Sequence, residues 1–151
     1  MSAIKIKHGV WIVVCDGRKA IILENHGDEK FPNLRTKEVR EHREELTSAQ
    51  GTDAHGRVFS SRGGARSAVE QTDWHDESER AFLKELAGWL NDAITTGKTK
   101  SLVIVAPPRA LGMIRPMYSS AVRNAIHAEI RKDLVKASVS EIEKSVTARV
   151  R

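Results

Sequence analysis

The stretch HGVWIVVCDGRKAIILEN, residues 8–25, leaves this chain few folds to choose from. Residues 10–15 and 19–23 are β-branched or otherwise apolar at almost every position. Side chains on a strand point alternately to opposite faces, so a strand that is apolar throughout must be covered on both. That places these runs in the middle of a sheet with layers above and below. Asp16-Gly17 between them reads as a tight two-residue turn, which favours positive φ, so the runs form a hairpin.

Further along, LRTKEVREH from Leu34 alternates weakly and carries charge on both faces, which predicts a third strand at a sheet edge, where charge discourages unwanted pairing. No period survives between His42 and Thr72, where Gly51, Gly56, Gly63 and Gly64 stand among Ser, Thr and Asp; 42–72 is expected as a long loop, with GRVFSS as a short extended piece. A helix is predicted from Thr72 or Asp73, with Asp76 and Glu77 in its first turn and Leu83, Leu86, Leu90, Ala93 and Ile94 on its apolar face; Gly97 ends it. SLVIVAPP reads as a buried parallel strand stopped by Pro107 and Pro108. RALGMIR is one helical piece broken or kinked by Pro116, and Ser119 or Ser120 can start another. From Ile126 the pattern alternates, with Ile126, Ala128 and Ile130 on one face, as in a strand exposed on one side. Ser138 and Glu141 fit a capping box, with Ile142, Val146 and Val150 aligned behind it. The fold class expected is therefore α/β: a single domain over 1–151, with a mixed five-stranded sheet of three antiparallel strands and then parallel additions, flanked by helices in the ribonuclease H-like order.

With 151 residues, one real core can form. The N-terminal apolar stretch is too short for a spanning helix and no small-residue cleavage site follows it, so neither membrane insertion nor a signal peptide is expected, and the location predicted is cytoplasmic. The single cysteine, Cys15, fits a reducing compartment and reads as a small buried hydrophobe. Net charge is +5, unevenly placed: residues 98–136 hold eight basic side chains against Glu129 and Asp133, and residues 54–69 hold Arg57, Arg62 and Arg66 with no acid. Such asymmetry suits a polyanion such as RNA.

A two-metal nuclease on this architecture needs converging acids, and the fourth strand ends in Ala106-Pro107-Pro108 without one. Asp16 is accounted for by turn chemistry. His42, Asp53 and His55 match no familiar metal spacing, and there is no CxxC, HExxH, GxSxG or Walker loop, so no metal or cofactor is implied. His75 reads as a capping or packing residue, with general base or phosphate contact as the alternative. Arg62-Gly63-Gly64-Ala65-Arg66 is the most informative motif: glycines let backbone amides approach a ligand, flanking arginines supply charge for phosphate, and a helix follows. APPRALG sets Pro108 and Arg109 at the carboxyl end of a parallel strand, where open α/β sheets bind ligands; Arg18 lies beside Asp16 in the first turn.

DGRKAIIL, GRVFSSRGGARSAVEQTDWHDESERAFLKELAGWL, LVIVAPPRALGMIR and the ending EIRKDL…EIEK together resemble the bacterial host attachment protein family, over nearly the whole chain. That family in turn resembles the catalytic middle domain of archaeal and eukaryotic class-1 release factors and of Pelota, where a Gly-Gly-Gln loop precedes a long helix and reaches the peptidyl-tRNA ester. The resemblance implies that Gly63 and Gly64 match the two glycines, with Ala65 where the glutamine would be. It implies a ribosome or tRNA partner for a basic Gly-Gly loop, and leaves open whether the protein is an enzyme. Two other readings stand beside it: a protein-interaction module affecting attachment, and an enzyme or binder of small phosphorylated ligands near Asp16, Pro107 and Arg109.

Overall fold

The computed structural model describes residues 5–42 and 64–147, with the side chains of 64–75 left aside. The described strands are β1 Trp11–Cys15, β2 Lys19–Asn25, β3 Leu34–Glu41, β4 Leu102–Ala106 and β5 Ile126–Arg131. They form one sheet in the order β3-β2-β1-β4-β5. β1 pairs antiparallel with β2 and β2 with β3, whereas β4 is parallel to both β1 and β5. The expected mixed sheet is therefore present, with β3 at one edge. Helices are α1 Gly64–Thr95, α2 Pro108–Ile114, α3 Ser120–Ala125 and α4 Val139–Thr147, and a 3-10 turn, Arg115–Met117, follows α2.

Every residue of β1 and of β4 is buried, because each face of the sheet has its own core. Trp11, Val13 and Cys15 of β1 and Leu102, Ile104 and Ala106 of β4 pack with Phe82, Leu83, Leu86 and Leu90 of α1, with α2, and with Val122 of α3. Ile12 and Val14, with Val103 and Val105, pack on the opposite face against Ile6, Val10, Ile142 and Val146. The two-sided burial is why these runs show no polar alternation. At the β3 edge, Trp11 and Trp89 stack with ring centroids 5.6 Å apart, and Lys37 and Arg40 lie over their rings at 5.3 Å. The aliphatic stems of such cations cover apolar surface while their charges stay wet.

Four details depart from expectation. The long helix starts at Gly64, so residues 64–72 are helical rather than part of the expected 42–72 loop, and residues 43–63, with GRVFSS, lie outside the described residues. Thr72 and Asp73 can cap a helix, but Ala65, Ala68, Glu70 and Gln71 ahead of them are helix-compatible and let it propagate upstream. Asp76 and Glu77 consequently sit three turns in, and no acid occupies the first turn. At the hairpin, the central residues are Gly17 and Arg18, not Asp16-Gly17, and the positive-φ glycines among the described residues are Gly9 and Gly97. Asp16 Oδ1 instead accepts from the amides of Arg18 and Lys19, both at 2.8 Å, an Asx turn that holds the reversal without left-handed backbone. In β5, a register shift opposite Leu102 and Val103 breaks the alternation: Ile126 joins the α1-side core, while Ala128 and Ile130 face the other.

Other boundaries follow local chemistry. Gly97, at φ 82°, closes α1 with Lys98 N–H to Ala93 O at 2.9 Å and Gly97 N–H to Ile94 O at 3.1 Å, a Schellman cap. Ser119 Oγ accepts from Val122 N–H at 3.1 Å and so starts α3. Ser138 and Glu141 form the capping box in both directions, at 2.9 and 3.1 Å.

Candidate functional site

The carboxyl ends of β1 and β4 lie side by side, and the chain leaves each by a sharp change of direction. From β1 it enters the Asx turn; from β4 it passes Pro107 into α2, whose first residue is Pro108. Proline fixes φ and needs no amide partner there, which ends the strand and opens the helix within two residues. The space between these exits is a cleft of about 230 Å3 lined by Asp16, Gly17, Arg18, Pro107, Arg109 and Ala110, with Glu79 of α1 closing one side. Asp16, Arg18 and Arg109, singled out from the sequence, thus come together. Pro108 stands next to the cleft but is exposed and not part of its lining.

Arg109 does not present a bare cation. Its guanidinium donates to Asp76 Oδ1 and lies 3.1 Å from Glu79 Oε1. The hydrogen bond to Asp76 first, then the charge of Glu79, hold its pKa above the ordinary arginine value. Gly17 allows this approach: a Cβ there would lie 2.7 Å from both Cγ and Cδ of Glu79. Asp16, Asp76 and Glu79 outnumber Arg18 and Arg109, so a phosphate entering here would have to displace carboxylates from Arg109. That arrangement suits a structural latch between α1 and α2 better than a phosphate cradle. The latch partners escaped the sequence reading, although Asp76 and Glu79 stand three residues apart and so share a helix face.

Beside the hairpin turn, the His42 amide donates to Arg18 O at 2.7 Å, its Nε2 is 2.9 Å from Ser78 Oγ, and its ring meets Phe82 edge-on at 6.3 Å. His42 is thereby engaged with α1; Asp53 and His55 lie outside the described residues. Among the described residues no group of three His, Cys, Asp or Glu side chains is arranged to hold a metal ion. Cys15, under the turn, is a buried thiol whose pKa is pushed up to about 12 by burial and then by the charge of Asp16, so it is not poised as a nucleophile. Arg57, Arg62 and Gly63 lie outside the described residues. The backbone of Gly64, Ala65 and Arg66 forms the opening of α1, and that of His75 lies inside the helix rather than in its first turn.

A family described as "Protein required for attachment to host cells" matches residues 11–146. An uncharacterized protein of Rickettsia prowazekii is 35% identical over 77 residues, a match that spans 49% of this chain and about half, 48%, of that relative. Among solved structures, an archaeal translation termination factor matches at 14% identity with a TM-score of 0.42, over 93% of this chain and 36% of that one.

Proposed function

We propose that this chain, which belongs to the family of proteins required for attachment to host cells, is a cytoplasmic RNA-binding domain that associates with ribosomes or tRNA through the basic segment leading into α1. One observation carries the reading: Arg57, Arg62 and Arg66 form a run with no acid among them in sequence, whose last member lies in the first turn of a helix that has no acid in that turn. A helix N-terminus adds its own partial positive charge to such a run. Twelve residues of α1 precede Asp76, about 18 Å of helix at 1.5 Å per residue. Arg66 stands ten residues before Asp76, about 15 Å of that helix, and Arg57 and Arg62 precede it in sequence, so the run is set back along the chain from the carboxylates that engage Arg109.

The basic excess in residues 98–136 contributes less than its count suggests. Arg109 is held by Asp76 and Glu79, and Arg115 by Glu129 at 2.7 Å. Alanine at position 65 offers no side-chain donor or acceptor to orient water or polarise an ester, so the activity proposed is binding rather than peptidyl-tRNA hydrolysis. The family's link to attachment is then indirect, through translation.

Replacing Arg57, Arg62 and Arg66 together by alanine tests the reading. With ribosomes or bulk tRNA as the probe, the slope of log affinity against log salt becomes shallower by about 2 to 3, close to one for each phosphate contact removed. An unchanged affinity and slope in the triple variant sinks the proposal. Binding that survives nuclease treatment of the probe identifies a protein partner instead.

A further inference from the structure

A second and larger cavity, about 450 Å3, shares no lining residue with the Asp16–Arg109 cleft; it is lined by Arg115, Pro116, Tyr118, Arg123, Ile126 and Glu129. Local chemistry in the sequence builds it. Pro116 turns the chain out of α2 into the 3-10 turn, Ser119 restarts it as α3, and the register shift at the start of β5 brings Ile126 to this side of the sheet. Its volume falls within the roughly 300–1,000 Å3 of small-molecule sites.

The polar groups of the cavity are organised around Glu129. Its Oε1 accepts from Arg115 Nε at 3.0 Å and from a terminal nitrogen of the same guanidinium at 2.7 Å, and the Tyr118 hydroxyl stands 3.5 Å from Oε2. Burial, then the charge of Glu129, raise the Tyr118 pKa, so the hydroxyl keeps its proton and remains a donor. Arg123 is different. Its guanidinium reaches only the Tyr118 carbonyl, at 3.4 Å, and faces no carboxylate among the described residues. Among the described residues, two guanidiniums against one carboxylate leave the lining one positive charge in excess, with Ile126 and Pro116 as apolar wall.

We propose that this cavity binds a small organic monoanion, a carboxylate carried on an apolar body. Arg123 takes the carboxylate in the fork geometry a guanidinium offers, and the body rests on Ile126 and Pro116. The charge balance selects the monoanion, because the second charge of a phosphate ester would be brought against Glu129 with no further cation in the lining to meet it.

The test is an amide-detected NMR titration of the full chain with benzoate, with acetate, benzyl alcohol and phenyl phosphate as comparison probes. Benzoate is expected to give saturable shifts at Tyr118, Arg123 and Ile126, and acetate and benzyl alcohol to bind more weakly. Arg123 is exposed, so R123Q retains its fold, and its free spectrum reads this directly. Loss of one charge-assisted contact weakens benzoate by about tenfold or more in R123Q. R131Q, which alters an exposed arginine outside the lining, binds benzoate as the wild type does. No saturable shift with benzoate, or equal affinity in R123Q, overturns the site. Phenyl phosphate binding more tightly than benzoate overturns the monoanion assignment.

Discussion

Asn25 is fully buried, and its amide substitutes for missing backbone partners. Its Nδ2 donates to Ile6 O at 2.8 Å and to Lys7 O at 3.2 Å, while Oδ1 accepts from Gly27 N–H at 2.9 Å and Asn33 N–H at 2.8 Å. One side chain thus ties the N-terminal segment to both sides of the β2–β3 connection. N25A strands several of these groups and is expected to cost about 3 kcal/mol or more, read by urea denaturation. N25D is no milder, since a carboxylate cannot donate to the two carbonyls and adds a buried charge. A loss under about 1 kcal/mol in either variant contradicts this role, since a single stranded buried group costs at least that much. Cys15 carries a second prediction at this scale. Its folded pKa, about 12, lies above the ordinary 9.0, so the unfolded chain releases its thiol proton first as pH rises. Stability from this group is fully present below pH 9 and lost between about 9 and 12, by up to about 1.4 kcal/mol per pH unit. Tyr118, also raised, acts in the same direction. Denaturation midpoints across that range check the sign; C15A, which removes the titrating thiol, flattens the curve. Sequence foretold the buried cysteine from its apolar neighbours. Nothing in the sequence marks Asn25, because its partners are backbone groups brought together by the fold.

At the scale of elements, the sharpest signals were local ones. The capping box of α4 was legible because both partners lie within four residues, and it is worth measuring. S138A removes the acceptor for the Glu141 amide and is expected to cost about 1 kcal/mol, with faster amide exchange confined to the start of α4. An unchanged exchange rate there would show that Ile142 and Val146, packed in the second core, hold the helix without its cap. All five strands were legible from apolar runs, alternation and turn residues. The start of α1 was not, since Thr72 and Asp73 mark where a helix is able to begin, not where one must. The β5 register shift was also hidden, because one extra residue leaves an alternating pattern looking intact while moving Ile126 to the other face.

Over the whole molecule, the sheet brings Asp16, Arg18 and Arg109 to one end because β1 and β4 are parallel neighbours, which the expected topology already contained. It did not contain the partners of Arg109. Asp76 and Glu79 are 33 and 30 positions away in sequence, and only the packing of α1 across the sheet sets them beside α2. Within the basic stretch 98–136, Arg109 and Arg115 are engaged by carboxylates, whereas the run of Arg57, Arg62 and Arg66 has no acid among its neighbours in sequence. Among the described residues no helix is long and apolar enough to cross a membrane. The most direct test of ribosome association is sucrose-gradient sedimentation of the tagged protein from lysed cells, with and without ribonuclease, at low and moderate salt. Co-migration with ribosomal particles at low salt, abolished by ribonuclease and weakened by salt, is the predicted result. Protein that stays at the top of the gradient in every condition contradicts it.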